Sequence, residues 1–103
     1  MIKVIKKDNT IRISGHADYA PYGEDIVCAS VSSIVTTIVN CIMNLDKESI
    51  TYQDDGNVIT IMKVNSNEII DTLLNTMFAM LQDLENQYKK NIKIESEEWK
   101  CYF

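Results

Sequence analysis

Between Ser14 and Ile26 the spacing of apolar residues changes from every second position to every third or fourth, and this switch constrains the fold most. Before it, Ile2, Val4 and Lys6 alternate with Lys3, Ile5 and Lys7, and Thr10-Ile11-Arg12-Ile13-Ser14 alternates more cleanly. Asp8-Asn9 tolerates positive φ and suits a two-residue turn, so residues 2–14 predict an antiparallel hairpin ending at Gly15-His16. After the switch, Val27, Val31, Ile34, Ile38, Cys41, Ile42 and Leu45 form one helical stripe, widened by Val35 and Val39. Ser30, Ser33, Thr37, Asn40 and Asn44 take the opposite side. The stripe is rich in β-branched residues, so burial rather than intrinsic propensity must hold this helix.

The same two periods recur downstream. Ser49–Gln53 and Val58–Val64 read as strands joined by Asp54-Asp55-Gly56-Asn57, the strongest hairpin signal in the chain. Asn65 with Glu68 forms a variant of the capping box. It opens a helix whose inward face is read as Ile69, Ile70, Leu73, Met77, Met80, Leu81, Leu84 and Tyr88. The methionines on that face suit gap-filling in a core better than a binding surface. Asn91 is expected to end the helix, and Ile92 and Ile94 suggest a last strand. The order ββαββαβ predicts an α+β fold, a two-layer sandwich of a largely antiparallel sheet with two helices. One domain over residues 1–103 is expected, with the acidic, then aromatic tail 95–103 assigned neither to a sheet edge nor to a dimer partner.

Composition narrows the function. Ten Lys and Arg against 15 Asp and Glu give a net charge of -5, which argues against phosphate-backbone binding and is compatible with a basic protein partner. Met1–Lys7 lacks an apolar signal core, and no run is expected to reach the roughly 18 apolar residues that span a bilayer. Three cysteines, an odd number, point to free thiols in a reducing cytoplasm. A lone histidine and no CxxC give no expectation of a metal or other cofactor.

The switch region itself carries the candidate chemistry. Gly15–Ser30 holds the only histidine, the only proline, two of the three glycines and a cysteine. Pro21 and Gly23 make residues 17–25 a loop, expected to be exposed and mobile, and Asp25 stands where an N-cap belongs. Cys28 then falls in the first helical turn, where partial positive charge favours a thiolate, the reactive form. An imidazolium from His16 would add a full charge, and the N–H groups of Cys28 and Ala29 are candidate oxyanion donors. Cys28 lies at the margin of the apolar stripe beside Ser32 and Val35, whereas Cys41 falls among core positions and reads as inert. Taken singly, a cysteine at a helix start usually packs, and a histidine after a strand usually faces solvent. Their pairing across one loop makes a thiol–imidazole site the better reading.

These residues resemble the ribosomal-processing cysteine protease family Prp. The resemblance rests on Gly15-His16-Ala17, on Gly23-Glu24-Asp25-Ile26-Val27-Cys28-Ala29, and on Ser32 four residues after the cysteine. It implies Cys28 as nucleophile, His16 as base and acid, and Asp25 and Ser32 as supporting residues, although Asp25 could equally do no more than cap the helix. It further implies a homodimer that removes a short N-terminal extension from large-subunit ribosomal protein twenty-seven, cutting after an aromatic pair. The loop with Tyr19, Tyr22 and Gly23 either closes over that peptide or simply exposes its tyrosines. The alternatives are a non-catalytic module that binds a ribosomal protein or assembly intermediate, and a thioesterase.

Overall fold

In the computed structural model, which describes residues 1–21 and 23–96, the strands that open the chain lie in the middle of the sheet. β1 (Ile2–Lys7) and β2 (Thr10–Ser14) pair antiparallel, with Lys7 opposite Thr10 across a turn in which Asp8 takes a φ of 54°. α1 (Ile26–Leu45) leads to β3 (Ile50–Asp54) and β4 (Val58–Lys63); α2 (Glu68–Gln87) then leads to β5 (Ile92–Ser96). The sheet order is β3-β4-β2-β1-β5, antiparallel except where β5 lies parallel beside β1. The expected ββαββαβ order and α+β class therefore hold, and the parallel pair makes the sheet mixed. That pair needs a long crossover, which α2 supplies.

Alternation along β1 shows how the layers stack. Ile2, Val4 and Lys6 are buried, whereas Lys3, Ile5 and Lys7 on the other face are exposed. Lys6 is accommodated on the buried side because its Nζ reaches the Asp8 carbonyl at 2.9 Å. The helices supply Val27, Val31, Val35, Ile38, Val39 and Ile42 from α1, and Ile70, Leu74, Met77, Phe78 and Leu81 from α2. By length and composition α1 is apolar enough to cross a bilayer, contrary to the expectation that no run would be. Its Val/Ile stripe lies instead in the protein core.

Several expected helix details are corrected. Leu45 is exposed and Cys41 only half-buried, because the stripe of α1 runs off the core at its last turns. On α2, Ile69 and Met80 face outward, while Leu74 and Phe78, absent from the expected face, are fully buried. The helix carries more apolar residues than one stripe can cover, and packing chose among them. Its N-cap is Asn67, whose side chain accepts from Ile70 N at 3.0 Å, and not Asn65. Val64 N and Asn65 N both donate to the Ser49 carbonyl, which keeps that segment extended past β4. Ser66 and Lys63 both donate to Asp71 in the first turn. Asn91 does not end α2; Tyr88 is the C-cap, and Asn91 lies at the entry to β5.

The corrected face makes a direct prediction. Leu74→Ala should lower stability by about 2–5 kcal/mol, whereas Met80→Ala should stay within about 0.5 kcal/mol. Urea unfolding of the two variants beside the parent checks it, and equal losses would contradict the observed orientation of α2.

Candidate active site

The loop from β2 to α1 is held from three directions. Gly15 closes β2 at a φ of 85°, a conformation that side chains avoid, and a Cβ there would run into the Met1 carbonyl oxygen. Two residues on, Ala17 is almost fully buried, at 1% exposure, so the loop begins inside the core. Its N–H donates to the Cys28 Sγ at 3.3 Å, and its carbonyl accepts from Asn91 Nδ2 at 2.9 Å. Tyr19 packs edge-on against Tyr88, with ring centroids 5.4 Å apart. A loop expected to be mobile is thus exposed along much of its length but tied down.

Asp25 supplies the remaining ties. Its Oδ1 accepts from Val27 N and Cys28 N, both at 3.0 Å, which is the N-cap the sequence indicates. Its Oδ2 accepts from Tyr19 N at 3.0 Å and Ala20 N at 3.3 Å, on the far side of the loop. One carboxylate therefore starts the helix that bears Cys28 and fixes the loop that follows His16. Partial burial pushes the Asp25 carboxyl upward, but N–H donation from Cys28, Tyr19, Ala20 and Val27 outweighs it and leaves a value below the ordinary 3.8.

His16, Asp25, Cys28, Ala29 and Ser32 all line one open cleft of about 740 Å³. Cys28 is half-buried there, while His16, Ala29 and Ser32 are exposed. The hydrogen bond that reaches Cys28 Sγ comes from Ala17 N–H and not from the imidazole. The two expected oxyanion donors both have partners within the helix start. Cys28 N–H is already donated to Asp25 Oδ1, and Ala29 N–H to the Asp25 carbonyl at 3.1 Å, the first bond of the helix ladder. The amide directed at the sulfur is that of Ala17. Gly23 lines the cleft, and the expected role of Tyr22 lies outside the described residues. Tyr19, half exposed, is held against Tyr88.

Sequence reading missed the far wall and the prop beneath the loop. Asp54, Gly56 and Asn57 of the β3–β4 turn line the cleft, over a floor that includes Ile13 and Ile59. Asp54 Oδ1 accepts from Gly56 N at 2.9 Å, and Asp55 Oδ1 from Asn57 N and Val58 N at 2.8 Å, so the wall is internally braced. The hairpin is legible in the sequence, but its place opposite Cys28 depends on the crossover of α1. Asn91 lies 74 residues from its partner Ala17, and no local pattern signals that contact. Among the described residues, no three His, Cys, Asp or Glu side chains are grouped to hold a metal ion.

An α+β fold with a half-buried thiol in the first turn of a helix, facing an open cleft beside a histidine, belongs to the class of small proteins with a candidate thiol site. The family described as "Cysteine protease Prp" matches residues 1–93. A relative from Staphylococcus aureus, the ribosomal processing cysteine protease Prp, is 37% identical over 91 residues, covering 85% of this chain and 86% of its own. Two structures of an S. aureus Prp also align. The one with a covalently linked product peptide gives a TM-score of 0.80 at 33% identity, over 93% of this chain and 97% of the other. The one with a substrate peptide gives 0.77 at 29% identity, over the same shares. The chain belongs to the Prp cysteine protease family.

The Asp25 geometry predicts a pH dependence. A carboxyl whose folded value is depressed contributes stability at neutral pH, and that contribution is lost as pH falls from the ordinary carboxylate value of 3.8 through the lower folded one. An asparagine at this position would keep one acceptor oxygen in place of two and would not titrate. Asp25→Asn should therefore be less stable than the parent at neutral pH, with the gap closing in acid. Denaturant unfolding from neutral pH downward checks this; a gap independent of pH would contradict it.

Proposed function

We propose that this protein is a cysteine endopeptidase that removes the N-terminal extension of large-subunit ribosomal protein twenty-seven, cutting after an aromatic pair, during bacterial ribosome maturation. One observation carries the reading: the Cys28 sulfur sits in the first turn of α1, receives the Ala17 N–H, and opens onto the cleft that His16 also lines. Helix-terminal charge and the amide donation both stabilise negative charge on sulfur. The name of the S. aureus relative, and its structures with substrate and covalently linked product peptides, support peptide processing through a covalent intermediate.

In the proposed reaction the Cys28 thiolate attacks the scissile carbonyl and forms a tetrahedral oxyanion. Ala17 N–H, directed at the sulfur, holds the thiolate in place for that attack. His16 delivers a proton to the leaving amine, and the new N-terminus departs. Water, deprotonated by the same imidazole, then attacks the thioester; the acid product leaves and the thiol is restored. Asp25 caps the helix that bears Cys28 and ties down the loop that follows His16, and Ser32 borders the site one turn beyond Cys28. The apolar floor, with Ile13, Val31 and Ile59, suits aromatic side chains, and the net charge of -5 suits a basic ribosomal substrate. Action as a homodimer in the cytoplasm is part of this proposal.

A peptide spanning the aromatic pair tests it. The parent should cleave it once, and Cys28→Ala and His16→Ala should each lower the rate at least about 10²-fold. Binding without turnover by the parent, or parent-like cleavage by both variants, would sink the reading; the former would favour the non-catalytic module.

A further inference from the structure

The corner where α2 turns into β5 sends the Asn91 side chain to the peptide that meets the thiol. Asn91 is fixed on its backbone at both sides: its N–H donates to the Tyr88 carbonyl at 2.9 Å, and its carbonyl accepts from Ile2 N at 2.8 Å. From that anchored position its Nδ2 donates to the Ala17 carbonyl at 2.9 Å. Ala17 is the residue whose N–H lies on Cys28 Sγ at 3.3 Å. We propose that Asn91 is a positioning residue for the thiol site, holding the Ala17 peptide so that its N–H stays directed at the Cys28 sulfur.

The backbone around Ala17 explains why such a prop is needed. Gly15 has a φ of 85° and Asp18 a φ of 56°, so the short arch carrying His16 and Ala17 is flanked on both sides by left-handed residues. Gly15 adopts its positive φ without strain, whereas Asp18 is held in that region by the contacts around it. Ala17 has three: its methyl is buried in the core, its N–H meets the sulfur, and its carbonyl meets Asn91. Core packing alone would leave the two peptide planes on either side of the Ala17 Cα free to rock. The Asn91 bond removes that freedom, and with it the amide stays on the thiol. Asp25 cannot substitute, because its bonds to the loop begin only at Tyr19.

This inference rests on Cys28 being the working thiol, so the experiment reads the two separately. Asn91→Ala removes the donor, and Asn91→Asp keeps the shape but sets an acceptor against the carbonyl. Glu85→Ala is the control: Glu85 accepts from Ile94 N at 2.8 Å in the same corner without touching Ala17. The titratable groups that share the cleft with Cys28, namely His16, Asp18, Asp25 and Asp54, are unchanged in all three variants. Site-resolved iodoacetamide labelling is followed by mass spectrometry, taking the ratio of the Cys28 rate near about pH 6.5 to that near about pH 9. Both Asn91 variants should lower that ratio about tenfold, since the Ala17 N–H is then no longer held on the charged sulfur. Glu85→Ala should lose melting temperature and keep the parent ratio.

Parent-like ratios in both Asn91 variants, or an equal fall in Glu85→Ala, overturn the positioning role. A parent whose Cys28 labels like a free thiol overturns the peptidase reading. The Ala17 amide proton then decides the inference by itself. It should shift with Cys28 titration in the parent and cease to do so in Asn91→Ala; an amide that follows the thiol equally in both overturns it.

Discussion

One carboxylate sets the geometry on which the candidate site depends. Asp25 accepts four backbone N–H groups: two from the first turn of α1, and two from Tyr19 and Ala20 in the loop that leaves β2. Without an acceptor there, the helix start and the loop would lose four of the bonds that fix their relation. With it, Cys28 and the residues after His16 move as one piece. The charged acceptor also makes these bonds stronger than neutral ones, which suits a site standing at the edge of an open cleft.

The sheet supplies what Asp25 cannot. By placing β1 next to β2 inside the sheet, with β5 parallel beside β1, the fold brings residue 91 under residue 17. It also carries the β3–β4 turn across to the opposite wall, because α1 returns the chain to the far edge of the sheet. The cleft and its supports thus draw on segments from the start, middle and end of the chain.

Legibility differs with the range of the interaction. Asp25 as N-cap, the β1–β2 turn at Asp8-Asn9 and the hairpin at Asp54–Asn57 are readable, since each joins residues close in sequence. The same local reasoning fails where two local solutions compete. Asn65 and Asn67 can both cap α2, and the hydrogen bonds of the Ser49 carbonyl to Val64 and Asn65 decide for the second. On α2 itself, periodicity allows a face through Ile69 and Met80 as readily as one through Leu74 and Phe78, because a richly apolar helix leaves the facing direction open. The partners of the first-turn amides are likewise set by the cap and the helix ladder: Cys28 N–H donates to the Asp25 side chain and Ala29 N–H to its carbonyl.

The sequence by itself determined the kind and order of the elements, the helix start at Ile26, and the placement of His16 and Cys28 on either side of one loop. Those follow from period, turn residues and capping, which act over a few residues. Only the tertiary structure decided that the loop is pinned rather than loose, that Ala17 N–H is the donor at sulfur, and that Asn91 stands behind it. Those depend on which strands become neighbours. That choice is made by burying one face of the sheet against two helices, a condition satisfied only by the whole chain at once.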